Sequence, residues 1–408
     1  MRVVITRSNP IAPDPRVEKA AAALTEAGYR VFLLGWDRSA ALPRREEIAG
    51  ADCIRLPIQA QFGHGLGNFW PLLRWQWGLF FWLTRNRREY EIIHACDFDT
   101  VLPALICKTL FGNHIIYDIF DFYADHLRAT PGWVKALIRA LDLWAIRRVD
   151  ALIVTDESRW AQVGDRLPEN RAVILNTPVN GYLFCRDGDQ EGSGVDLPRR
   201  EHTDRGAITG NFFHSASLAN AAVQNTRCEF TLRLVFVGLL QIERGLLDVL
   251  ALLATHSDWH LDLAGFGGDE GQILEMAESL PNLTWHGRIP YERALALTAA
   301  ADVVLALYDP VIENHRYASP NKLYEAMMLG KPVIVAADTN IDRIVREESC
   351  GLVIAYGHQK ELAKALERLQ VDRSLRQQLG QNGRTAYNER YNWDKMKARL
   401  AHLYAQIT

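Results

Sequence analysis

The sequence predicts two doubly wound α/β domains. Three observations carry that expectation. The 408 residues exceed one ordinary core. Short apolar runs alternate with helix-length amphipathic stretches. The alternation stops near residue 185 and restarts at Leu232. In the first half Val3-Val4-Ile5 reads as a strand, followed by a proline-rich loop (8–15) and the helical stretch RVEKAAAALTEAG, which Gly28 is placed to end. YRVFLLG (29–35) reads as the next buried strand, and further strand runs fall at 53–58, 91–94, 115–118, 151–155 and 173–175. Residues 185–229 are rich in Gly, Asp, Arg, Ser, Asn and Thr with few apolar residues to bury, and read as a linker with an irregular insertion. LRLVFVG then begins a second strand–loop–helix–strand series, with strands at 283–286, 303–306, 332–335 and 351–354. Trp393, Met396, Leu400, Leu403 and Tyr404 form one helical stripe in a terminal amphipathic helix, which either packs on its own domain or crosses back to the first. The organisation is thus two Rossmann-like domains, 1–180 and 232–385, joined by 181–231 and followed by 386–408.

Composition narrows the class. Hydrophobic residues at 48% and charged residues at 23% exclude a disordered or fibrous chain. With 46 Lys+Arg against 49 Asp+Glu there is no basic excess for coating a nucleic acid. Six scattered cysteines without a CxxC pair suit a reducing compartment and suggest no zinc site. MRVVITRSN lacks the apolar core of a signal peptide, and no run is long enough to span a bilayer. A cytoplasmic location is the expectation.

Three loops in the second half fall at carboxyl ends of strands, where a doubly wound sheet places ligands. Gly238 to Gly245 contains Arg244 and is either an anion seat or an ordinary turn with a solvated arginine. Gly265-Phe266-Gly267-Gly268 offers glycines that let a ligand approach the backbone. The strongest is SPNKLYEAMMLGKP (319–332): Ser319 is expected as N-cap with Pro320 at the first helical position, placing the N–H groups near Asn321 and Lys322 at the positive helix end. Glu325 shares their face and can accept hydrogen bonds from ribose hydroxyls; the plainer alternative is a well-capped helix with an exposed glutamate.

These motifs, in this order, resemble the donor domain of GT-B glycosyltransferases of the retaining family 4 type. The resemblance rests on Gly238 through Arg244-Gly245, Gly265–Gly268, Gly287-Arg288-Ile289-Pro290, Glu325-Ala326-Met327 and Gly330-Lys331-Pro332-Val333-Ile334. In the first half it rests on Asp14-Pro15-Arg16-Val17, His94 to Thr100, and Tyr117 to Asp121. It implies a nucleotide diphosphate sugar held by Gly238, Gly245, Gly265, Gly267, Arg288, Ile289, Ser319, Asn321, Lys322 and Glu325, with no metal and no other cofactor. Arg244 and Lys322 would stabilise the leaving diphosphate, and Asp97 and Asp121 would serve acceptor chemistry. Arg16, His94 and Asp99 are the matching acceptor-binding candidates. The implied reaction is sugar transfer with retention to a glycan or lipid-linked acceptor in cell-surface polysaccharide or glycoconjugate synthesis. The chain departs from the family at Tyr317, where a first glutamate is usual, at Leu239, where an arginine is usual, and at Phe120, where a histidine is frequent. Glu313 lies in the same loop as a substitute. These departures motivate one alternative, an inactive nucleotide-sugar-binding partner subunit; a second is a sugar-nucleotide epimerase on the same architecture, which would need no acceptor.

Residues 69–88 (FWPLLRWQWGLFFWLTRNRR) hold Trp70, Trp75, Trp77 and Trp82, four arginines and no acid. Either this is a core helix with a wide apolar face, or it contacts a membrane interface or a protein partner. On the membrane reading, Trp75 and Trp77 meet a lipid-linked acceptor at the inner face of the membrane.

Overall fold

Ile92–Cys96 and Ala151–Val154 are buried at every position, as central strands of a parallel sheet must be when helices cover both faces. The computed structural model describes residues 1–60, 68–127, 130–165, 167–179 and 231–407; the expected insertion at 185–229 lies outside the described residues. The first sheet contains β1 (Arg2–Arg7), β2 (Arg30–Asp37), β3 (Arg45–Ile48), β4 (Ala51–Pro57), β5 (Ile92–Cys96), β6 (His114–Ile119), β7 (Ala151–Val154) and β8 (Asn170–Val173). Their order is β3-β4-β2-β1-β5-β6-β7-β8. Every pairing is parallel except the β3–β4 hairpin. That hairpin turns through Ala49 and Gly50, both at positive φ (53° and 75°), as a two-residue hairpin turn requires.

The second sheet contains β9 (Leu232–Leu239), β10 (Trp259–Phe266), β11 (Leu283–Trp285), β12 (Val303–Ala306), β13 (Val333–Ala336) and β14 (Gly351–Ile354), in the order β11-β10-β9-β12-β13-β14. All are parallel. Strand order reverses between β1 and β5 in one sheet and between β9 and β12 in the other. Ligands of open α/β sheets bind outside the carboxyl ends of strands at such switch points.

Helix α1 (Pro15–Glu26) begins as its sequence dictates. Asp14 accepts the Val17 N–H at 3.2 Å, Glu18 accepts the Asp14 N–H at 2.8 Å, and Pro15 occupies a position that needs no donor. Helices α2 (Phe69–Arg85), α3 (Phe98–Phe111), α4 (Tyr123–His126) and α5 (Gly132–Ile146) follow in the first half. The terminal helix Trp393–Ile407 packs on α1 and β8, in the first half of the molecule. Tyr404 meets Tyr29 edge-on at 5.3 Å, the Leu175 N–H points at Met396 Sδ at 3.3 Å, and Lys397 pairs with Glu26. Burial of the whole Trp393/Met396/Leu400/Leu403/Tyr404 stripe follows from that docking.

Candidate functional site

On the second-sheet side, the cleft is built from residues just beyond β9 and β12. Lys322, in the first turn of the helix Asn321–Leu329, lays its ammonium 3.6 Å from the Phe236 ring centroid. A Cβ at Gly238 would lie 3.4 Å from that ammonium, so the bare glycine leaves it room. Arg244 places its guanidinium carbon 4.2 Å over the Tyr308 ring and donates to Gln241 Oε1 at 3.4 Å. Among the described residues neither cation forms an ion pair. Burial, and next the charge of Arg244, push the Lys322 amine well below the usual lysine range, with Glu325 opposing. Two converging cations without a bound carboxylate, beside the positive end of a helix, form a seat for a polyanion.

One turn along the same helix, Glu325 is only 9% exposed. Burial raises its pKa, against a hydrogen bond from Tyr291 and the charges of Lys322 and Lys19. Lys19 belongs to α1, so it approaches from the opposite half. Burial, with Arg16 beside it, lowers Lys19 to about 8, while its ammonium donates to the Thr177 carbonyl.

On the first-sheet side, Asp97 ends β5 at φ 64°, accepts the Phe120 N–H at 2.8 Å and pairs with Arg7, which also holds Asp14. The Arg7 guanidinium lies 3.9 Å over the Phe120 ring. Asp121 pairs with Arg159, a fully buried side chain fixed by Thr155 Oγ1 at 2.9 Å. The charge of Asp121 also reaches Tyr308 across the cleft. Asp99 is buried and raised to about 6, chiefly by desolvation and by Asp97. The two halves also touch directly: Asn176 donates to the Ser319 carbonyl at 3.2 Å, and Arg139 lies 3.5 Å from both Asp125 and Glu313. Glu313, the substitute glutamate, is therefore engaged in an ion pair between the halves.

Several expectations need correction. Arg16 is not free for an acceptor. It forks onto Asp118 at 2.7 and 3.1 Å and donates to the Ile174 carbonyl at 2.6 Å and to Asn176 Oδ1 at 2.9 Å. His94 is 1% exposed, between Asp118 (3.4 Å) and the Tyr404 hydroxyl (2.8 Å). Trp75 is fully buried, stacks on Trp36 at 5.4 Å and donates to the Asp99 carbonyl at 3.0 Å, whereas Trp77 is exposed. Ser319 does not cap: the helix starts at Asn321 with Pro320 at the cap, and the Ser319 hydroxyl lies 3.2 Å from that of Tyr324. Gly265 and Gly267 serve chain packing, since a Cβ at either would fall on the carbonyl oxygen of Gly238 or Leu240. Arg288 stacks 4.6 Å over Phe266 at the exposed strand end, and Ile289 is partly buried beside it. The motif pattern missed Lys19, Tyr308 and Tyr291; only the i, i+3 spacing of Arg16 and Lys19 signalled that Lys19 shares the cleft face of α1.

His94, Cys96 and Asp118 bring possible metal-ligating atoms within 4.8 Å of one another. The Arg16 guanidinium already occupies that carboxylate, so the donor set suits a cation of the protein's own.

This pairing of two doubly wound, mainly parallel sheets, with a strand-order switch point in each, defines a GT-B architecture. Residues 12–176 match the glycosyl transferase 4-like domain and residues 228–386 match the glycosyl transferases group 1. The chain belongs to the GT-B glycosyltransferases of this group 1, family 4 type. An uncharacterized glycosyltransferase of Methanocaldococcus jannaschii is 22% identical over 189 residues, 43% of this chain and 45% of that protein, so the match spans about half of the curated relative. The fold is similar to sucrose-phosphate synthase from Thermosynechococcus elongatus (TM-score 0.74, 17% identity, 100% of this chain and 99% of the other). It is also similar to Anabaena HepE in complex with UDP-glucose (TM-score 0.66, 14% identity, 100% of both chains).

Proposed function

We propose that this protein transfers a sugar, with retention, from a nucleoside diphosphate sugar to a glycan or lipid-linked acceptor in cell-surface polysaccharide or glycoconjugate synthesis, at the cytoplasmic side of the membrane. The observation that carries the reading is the Arg244–Lys322 couple, which forms no ion pair among the described residues, beside the start of the helix Asn321–Leu329 and one turn from buried Glu325. The diphosphate sits on the two cations, Glu325 takes the ribose hydroxyls, and the base lies toward the Arg288–Ile289 segment. As the glycosidic bond breaks, charge accumulates on the leaving phosphate, where Arg244 and Lys322 stabilise it. Asp121, whose charge reaches Tyr308 from the first sheet, orients or deprotonates the acceptor hydroxyl, with Asp97 and Asp99 as further acidic groups of the acceptor side. Asp99, at about 6, can take up a proton near neutrality.

A thermal-shift screen of nucleoside diphosphates and their sugars tests the reading, because selective ligands stabilise the native state. The expected result is a shift for one base and sugar that Glu325→Ala removes; an unchanged shift in the variant would displace Glu325 from the ribose. Tyr317 and Leu239 at positions usually glutamate and arginine favour a second reading, an inactive nucleotide-sugar-binding subunit. Binding without release of nucleoside diphosphate across an acceptor panel would select it.

The Lys322 amine also makes a pH prediction. Its pKa is low in the free site, and a bound diphosphate raises it. Binding therefore takes up a proton between the two values, and affinity falls as pH rises through that window. Calorimetry in buffers of different ionisation enthalpy measures this uptake, and Lys322→Met should lose it. Buffer-independent enthalpy at every pH would place the diphosphate elsewhere.

A further inference from the structure

We infer that the outer faces of α2, α3 and α5 form one docking surface for an anionic lipid bilayer. The inference stands on surface chemistry and does not depend on the donor site. Helix α2 has two aromatic faces. Trp75, Leu79 and Leu83, at i, i+4 and i+8, enter the core under the first sheet. Trp70, Trp77 and Phe81 point outward, and Arg74 and Arg85 fall on the same stripe, so positions 70, 74, 77, 81 and 85 make one line of alternating ring and cation. Trp70 is 71% exposed.

The surface does not stop at α2. Helix α3 packs between α2 and α5. It adds exposed Leu110 and Phe111, with the Arg87 guanidinium 5.3 Å over the Phe111 ring. Helix α5 repeats the outward pattern with Trp133, 72% exposed, and with Trp144, over which Arg148 lies at 4.1 Å. The three helices contain two carboxylates, Asp99 and Asp142, and both are buried. Desolvation pushes Asp142 up to about 7, against a hydrogen bond from Tyr117. The exposed charges on these helices are therefore all positive, and the first exposed acid after α2 is Glu89.

An apolar face this wide, rimmed by cations and bare of acids, complements an apolar layer beneath anionic headgroups. Aromatic rings settle at the headgroup level, and guanidiniums meet the phosphates. Among the described residues no helix is long and apolar enough to cross a membrane, so the contact is one of lying on the surface.

Flotation of the full chain with vesicles of phosphatidylcholine alone, or with phosphatidylglycerol added, tests the proposal. Binding is expected to the anionic vesicles and to weaken at about 0.5 M salt. Arg74→Gln with Arg85→Gln should lower partitioning roughly fivefold per charge. Trp70→Ser with Trp77→Ser and Trp133→Ser should lower it at least about tenfold, since each removes a ring that the interface would bury. These side chains are exposed, so thermal unfolding of both variants should match the parent. Absence of vesicle binding by the parent would overturn the proposal, as would equal binding by parent and variants. Concentration-dependent self-association abolished by the same substitutions would overturn it too, assigning the face to a second copy of the chain.

Discussion

Arg244→Ala lowers turnover by about two to three orders of magnitude while donor affinity changes by less than about tenfold. The Tyr308 ring holds the Arg244 guanidinium by its face, and Gln241 Oε1 accepts from its Nε at 3.4 Å. Among the described residues no carboxylate pairs with the guanidinium, so its charge is available to the cleft. In the ground state the diphosphate is already shared with Lys322 and the helix end, and losing one donor costs little binding. At the transition state the leaving oxygen gains charge, and removing one preorganised donor to such an oxygen typically costs about 10²–10³ in rate. Arg244→Lys should recover only part of the loss, because an ammonium keeps the charge but not the planar stack. Steady-state kinetics with a separate donor titration gives both quantities. An equal loss in each would show that Arg244 binds the ground state and the transition state alike.

The alternation of apolar runs and helices reported the two sheets well, because central parallel strands must be apolar on both faces; 303–306 and 351–354 matched their strands at both ends. It missed β3, whose REEI is charged and sits at the sheet edge with three of four residues exposed. The cations of the donor side were legible because loops following strands and a helix start are local in sequence. The first-domain candidates misled for the opposite reason. Arg16, His94 and Asp118 lie far apart in the chain, and only tertiary packing decides whether such groups face a cleft or one another. The tryptophans of α2 were ambiguous since a helix can bury one aromatic stripe and expose another, and composition alone does not assign a ring to either. Gly265 and Gly267 show the same limit: a glycine that admits a ligand and one that admits a neighbouring carbonyl are the same letter.

Arg16→Ala should destabilise the protein by about 3–5 kcal/mol, the usual cost of removing one partner of a buried pair. Arg16 and Asp118 are 8% and 4% exposed, and the substitution leaves the carboxylate without its fork and the Ile174 carbonyl without its donor. The damage extends to the terminal helix, because Asp118 also faces His94, whose other ring nitrogen meets the Tyr404 hydroxyl. Burial alone would raise the Asp118 pKa, yet Arg16 and His94 hold it below the ordinary value. In the parent this contribution is present above about pH 4, the unfolded carboxylate value, and disappears as pH falls through the lower folded value. Without Arg16 the Asp118 pKa rises, so the stability gap between parent and variant narrows as the pH falls from the variant's raised value through the parent's lowered one, where the carboxylate is neutralised in both. Urea unfolding at pH 7 and at acid pH reads both effects from the midpoint at constant slope. Arg16→Met combined with Asp118→Leu should be less destabilised than Arg16→Ala, since replacing both ions spares the unpaired charge. A fully stable Arg16→Ala protein with a raised acceptor KM would instead return Arg16 to the acceptor site.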